Sequence, residues 1–116
     1  MIERINPTAR YSDATLFNGL VFAVEVPAIE SGTIAEQTGS LFESLDKTLK
    51  AAGSGLGHIL MATVYLVDMA DYDTFNSVWE AWIPHACAPA RACVQVAALA
   101  KPGWRIEIAV QAARKS

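Results

Sequence analysis

The chain has 116 residues, a formal net charge of −3, 18% charged and 53% hydrophobic side chains, which is one domain with a single core and surplus apolar surface. Its cations Arg4, Arg10, Lys47, Lys50, Lys101, Arg105, Arg114 and Lys115 are dispersed, so the clustered basic stripe that a nucleic-acid partner needs is missing. No apolar stretch is long enough to span a bilayer, and no charged start with an apolar run resembles a secretion signal, so a cytoplasmic protein without a membrane partner is expected.

A short strand is predicted from Ile2 to Asn6, closed by Asn6-Pro7. Thr15-Leu16-Phe17 and Leu20 to Val26 flank Asn18-Gly19, a strong hairpin signal because both turn positions need positive φ. Pro27 ends the second of these strands, and Ala28 to Thr33 is expected as a loop. Ile34 to Ala52 has helical periodicity: Ile34, Leu41, Leu45 and Leu49 share a stripe, while Glu43 with Lys47 and Asp46 with Lys50 stand one turn apart. Gly53 is placed to end this helix in a left-handed conformation.

After the Gly53–Gly57 turn, His58 to Val67 is a near-continuous apolar run. It is expected to be a central strand covered on both faces. Asp68 or Asp71 is expected to cap a second helix from Tyr72 to Ile83, with Phe75, Val78, Trp79 and Trp82 as its buried stripe and Pro84 as its stop. Two last strands, Ala90 to Ala97 and Arg105 to Ala113, are joined through Lys101-Pro102-Gly103. The order β-β-β-α-β-α-β-β predicts an α+β fold, one mixed sheet with two helices packed on one face. The other face is then left for further copies of the chain, which favours a homo-oligomer.

Arg91 is the residue that asks for a functional explanation. A permanent guanidinium on a half-buried strand loses hydration and needs an anion, either a protein carboxylate or a bound small carboxylate. Arg91, Cys93 and Gln95 share one face of their strand, and Arg105, Glu107 and Gln111 alternate along the last. Paired as a hairpin, the two strands would bring Glu107 near Arg91 or Cys93. That closeness is either a plain ion pair or a site in which Arg91 holds a carboxylate while Glu107 orients a water. Cys87 and Cys93, with no CxxC, read as reduced thiols, and the solitary His58 and His85 as strand-end or helix-end residues rather than metal ligands.

Gln37-Thr38, Ala52-Gly53, Asp68-Met69, Asn76, Pro89-Ala90-Arg91 and Ile106-Glu107-Ile108 follow one another at spacings that resemble the RidA/YjgF family of reactive-intermediate (enamine/imine) deaminases. The resemblance covers essentially the whole chain. It implies a chorismate-mutase-like fold and a homotrimer with a cleft between each pair of subunits. It also implies hydrolysis of 2-imino acids, such as 2-iminopropanoate formed from 2-aminoacrylate, to 2-oxo acids and ammonia, without metal, flavin or pyridoxal.

By the same resemblance Arg91 clamps the substrate carboxylate, the backbone carbonyl of Cys93 faces the imine nitrogen, and Glu107 positions the attacking water. Tyr11 and Asn76 fall where residues line or support the cleft. Taken alone, Tyr11 fits equally an aromatic packing a loop, and Asn76 a helix-to-backbone hydrogen bond. Ala23-Val24 stands where the family often has Ser-Gly, which implies a narrower, drier pocket. That departure keeps open a non-catalytic, carboxylate-binding or regulatory trimer. Ribonuclease activity is disfavoured by the acidic charge balance, and isomerase chemistry has only the shared fold behind it.

Overall fold

The computed structural model describes residues 1–115. Its strands are β1 (Glu3–Ile5), β2 (Ala14–Phe17), β3 (Leu20–Glu25), β4 (Ile59–Leu66), β5 (Ala90–Gln95) and β6 (Ile106–Ala113), with helices α1 (Ile34–Ala51) and α2 (Tyr72–Trp82). The element order is the predicted one. All six strands form one sheet in the order β1-β2-β3-β6-β4-β5. The crossover through α2 returns the chain to the same end of the sheet, so β4 and β5 are parallel, while the other pairs are antiparallel.

The last two strands therefore do not form the expected hairpin. Strand β6 is inserted between β3 and β4, and β4 separates it from β5. The sequence offers each strand a plausible neighbour in chain order, but the ten-residue connection 96–105 is long enough to carry the chain across β4.

Local chemistry explains the element ends. Asn18 and Gly19 both have positive φ, 51° and 77°, and close Phe17 onto Leu20. Thr33 caps α1 in a reciprocal box: its hydroxyl accepts from the Glu36 N–H, and the Glu36 carboxylate accepts from the Thr33 N–H. At the other end Gly53 takes φ 77°, Gly53 N–H donates to Lys50 O and Ser54 N–H to Leu49 O, which satisfies two terminal carbonyls. Neither Asp68 nor Asp71 caps α2 directly. Asp68 accepts from Ala70 N–H in the 3-10 turn Met69–Asp71 ahead of the helix, whereas the Asp71 side chain makes no cap bond and is held by Arg105.

Both helices cover one face. Val21, Ala23, Ala62, Val64, Leu66, Ile106, Ile108 and Val110 point into that layer and are buried with Leu41, Phe42, Leu45, Phe75 and Trp79. Phe42 meets Trp79 edge-on at 5.8 Å and stacks on Trp82 at 6.0 Å, which locks α1 to α2. The opposite face stays open, and Phe17, Leu20, Phe22, Val24, Leu60 and Val94 are exposed. Strand β4 is thus covered on one face only: Ala62, Val64 and Leu66 are buried, Met61, Thr63 and Tyr65 half-buried. Its continuous hydrophobicity therefore leaves apolar side chains on a second face that no helix covers.

Candidate functional site

Arg91 projects from β5, the edge strand, toward the helix layer, level with the buried Ala62 of β4. Its guanidinium carbon lies 4.8 Å from the ring centre of Trp79, 5.4 Å from Phe75 and 5.8 Å from Tyr72, and Arg91 Nη2 donates to Tyr72 Oη at 3.3 Å. Residues 72, 75 and 79 stand at helical spacing on one stripe of α2, which is why a single face of α2 supplies all three rings. Among the described residues no Asp or Glu oxygen lies within ion-pair distance of Arg91. The ring faces offset part of its lost hydration but leave its charge free for an anion.

Cys93 lies two residues on, half-buried against the core. Burial pushes its thiol above the ordinary value, against a smaller lowering by the Arg91 charge, so the sulfur is a protonated neighbour rather than a nucleophile. Its backbone is better placed for chemistry. Val96 N–H donates to Leu66 O just past β5. Alternation then turns the peptide groups of Val94 and Ala92 toward β4, and those of Arg91, Cys93 and Gln95 outward to the free edge. Asn76 shares the α2 stripe with Tyr72 and Trp79. Its side chain makes no hydrogen bond among the described residues, so the expected helix-to-backbone bond is absent.

Glu107 lies on the other side of the sheet. Its neighbours Ile106 and Ile108 are buried under the helices, so Glu107 faces outward on the open face, level with Tyr65 of β4. Burial raises its carboxyl above the usual carboxylate value, which brings it nearer the range useful for a base at neutral pH. Arg91 is separated from it by two strand spacings, roughly 10 Å, and by the thickness of the sheet. The closeness expected from a terminal hairpin does not occur within one chain.

The remaining predicted residues gather toward the far edge. Val24 projects onto the open face beside a depression of about 310 Å³ that Ser12, Thr15, Phe22, Met61 and Gln111 also line. Ala23 belongs to the same wall, but its methyl is buried in the core. Of the two, Val24 is the side chain that stands exposed beside the depression. Tyr11 is 66% exposed, next to Ser12, in a turn that Thr8 closes by accepting from Tyr11 N–H and donating to Tyr11 O. A ring so exposed does not pack its loop. β3 and β5 are three strand spacings apart, about 14 Å, so within one chain Arg91, Cys93 and Asn76 lie together and apart from Tyr11 and Val24.

Three residues emerge only from the tertiary structure. Tyr72, Phe75 and Trp79 support Arg91, and the only trace of this in the sequence is aromatic spacing of three and four along α2. Gln37 is fully buried: its amide donates to Gly103 O at 2.8 Å, and its carbonyl accepts from Arg105 N–H at 2.8 Å. The Arg105 side chain grips Asp71 with two bonds of 3.1 and 2.8 Å, which fixes the start of β6 against α2. Among the described residues, no three His, Cys, Asp or Glu side chains converge as a metal centre would require, and no helix is long and apolar enough to cross a membrane.

The profile of the family described as Endoribonuclease L-PSP matches residues 1–114. A RutC family protein of Haemophilus ducreyi is 42% identical over 114 residues, 97% of each chain. A crystal structure of a YjgF family member from Neisseria meningitidis superposes with a TM-score of 0.96 at 42% identity, covering 100% of this chain and 97% of that one. The chloroplastic protein of Arabidopsis thaliana named Reactive Intermediate Deaminase A is 34% identical over 96 residues, 77% of this chain and 51% of that relative. With its fold, its ordered motifs and these relatives in agreement along almost its full length, the chain belongs to the RidA/YjgF family.

Proposed function

We propose that this protein is a cofactor-independent deaminase that hydrolyses small 2-imino acids to 2-oxo acids and ammonia, in clefts built between copies of the chain in a homotrimer. The observation that carries this reading is the Arg91 guanidinium, half-buried, supported by rings and, among the described residues, without a carboxylate partner. Such a group favours a visiting planar carboxylate, which it can bind through two parallel hydrogen bonds. The name of the chloroplast relative supports the choice of chemistry.

Two separated groups of residues, one at the β5 edge and one on the apolar open face, support assembly from more than one subunit. The edge of β5 with α2 from one copy would bring Arg91 and the outward carbonyl of Cys93. The open face of its neighbour would bring Glu107, Tyr11 and Val24. In that cleft Arg91 holds the carboxylate, the Cys93 carbonyl accepts from the imine N–H, and Glu107 takes a proton from a water as its oxygen bonds to C2. As the C–O bond forms, the C=N π pair moves to nitrogen, which takes the proton held by Glu107. The new hydroxyl then gives its own proton to nitrogen through Glu107 as C=O forms, the C–N bond breaks and ammonia leaves. An imine carbon is already electrophilic, so orientation and a base supply what is needed, the base about 10²–10⁴-fold.

Ammonia release from freshly generated 2-aminoacrylate tests the proposal. The native protein is expected to accelerate it and Arg91→Ala to abolish the acceleration; equal rates overturn the reading. A second reading, retention of a small carboxylate without turnover, draws on the bulk of Val24 at the cleft wall. Calorimetric binding of a 2-oxo acid with no deaminase activity would select it.

A further inference from the structure

Tyr72 is the one polar side chain on the ring-lined stripe that touches Arg91, and neither its sequence context nor the family motifs assign it a role. It opens α2, is 37% exposed, and accepts from Arg91 Nη2 at 3.3 Å. That bond is long for a charged donor and engages one corner of a group with five N–H bonds. A phenol both accepts and donates. Its lone pair is turned to Arg91, and among the described residues its own proton reaches no acceptor.

The surroundings leave that proton one useful direction. Phe75 and Trp79 close the guanidinium from the core side, at 5.4 and 4.8 Å. Among the described residues strand β5 has no neighbour beyond it, so Arg91 stands at the sheet's free edge with the partly exposed Tyr72 hydroxyl beside it. A carboxylate lying there meets two kinds of donor. An amide or ester in its place carries no charge for Arg91 to pair with and offers these donors weaker acceptors than a carboxylate does.

We propose that Tyr72 is a second ligand-binding group: Arg91 Nη2–H donates to Tyr72 Oη, and Tyr72 O–H donates to a carboxylate oxygen of the bound 2-imino or 2-oxo acid. This rests on Arg91 being a carboxylate holder. It adds a direct contact and a selectivity for free acids over their amides or esters.

Pyruvate serves as the probe, titrated calorimetrically into native protein, Arg91→Ala, Tyr72→Phe and a protein with 3-fluorotyrosine at position 72. Phenylalanine keeps the ring over Arg91, and an unchanged melting temperature verifies the fold. Loss of the hydroxyl is expected to weaken pyruvate about tenfold, the worth of one hydrogen bond to a charged group. Fluorotyrosine, kept below the pH at which it ionises, is a stronger donor and a weaker acceptor, so it should tighten binding. If the hydroxyl served only as an acceptor that holds Arg91 in place, fluorine would weaken binding instead, which overturns the proposal. Native protein that binds pyruvate, with Arg91→Ala not binding and Tyr72→Phe binding equally well, removes Tyr72 alone. Native protein that binds no pyruvate removes the carboxylate reading and this inference with it.

Discussion

Arg91 and Glu107 project from opposite faces of one sheet, with β4 lying between the strands that carry them. Neither has an ion-pair partner among the described residues. Two charged groups left unsatisfied on opposite sides of one layer cannot serve a common small ligand in a single copy. They can do so where the edge of one sheet meets the open face of the next.

That geometry predicts complementation. Arg91→Ala and Glu107→Gln proteins, each inactive alone, are expected to regain deaminase activity when unfolded together and refolded as a mixture. Random assortment leaves roughly a quarter of the sites intact if each draws one residue from each of two copies. A mixture as inactive as its components would place both residues in one subunit's site, or outside any shared one.

The open face should respond to charge. Phe22 is exposed there on β3, opposite Thr15 of β2 and away from the helices. Phe22→Asp is expected to dissociate the assembly and remove its activity while the far-ultraviolet circular dichroism stays native, because the core lies on the other side. Light scattering on an eluting peak reports the mass directly, and an unchanged oligomer would show that the face is not the interface.

Glu25 should make stability depend on pH. It ends β3 on the helix side, where burial and then the nearby Asp13 push its carboxyl up to about 7 from 4.5, against lowering by Val26 N–H and the Thr48 hydroxyl. The folded chain therefore holds a proton there that the unfolded chain releases. Its stabilising effect is complete below 4.5 and lost as pH rises through about 7. The native protein should melt higher at about pH 5 than at about pH 8, and Glu25→Gln should reduce that difference. A variant with the native pH dependence would assign the effect elsewhere.

Gln37 should be costly to replace although it touches no proposed ligand. Gln37→Leu fills the same space but leaves Gly103 O and Arg105 N–H without their partner. Two buried backbone groups deprived in this way predict a loss of about 2–4 kcal/mol, read from the midpoint of urea unfolding. The strap it holds is tight: a methyl on Gly103 would collide with Glu30 O.

Much of this was legible in the residues because it is local. The Asn18-Gly19 turn, the α1 stripe with its Gly53 stop and the aromatic face of α2 each depend on neighbours within a few positions, and periodicity reports them faithfully. The capping box of Thr33 and Glu36 was equally local, although Thr33 also fits the loop before it. Arg91 stood out because a lone cation in an apolar strand is expensive whatever surrounds it.

The sequence alone determined the order of the elements, the one-sided helix layer and the presence of a cation in search of an anion, since alternation and helical spacing encode which residues must leave water. Tertiary structure alone decided that β6 inserts between β3 and β4, that Glu107 is carried away from Arg91, and that Tyr72, Phe75 and Trp79 support the guanidinium. Strand neighbours distant in the chain are chosen by the packing of the whole sheet under its helices, and no local preference records that choice.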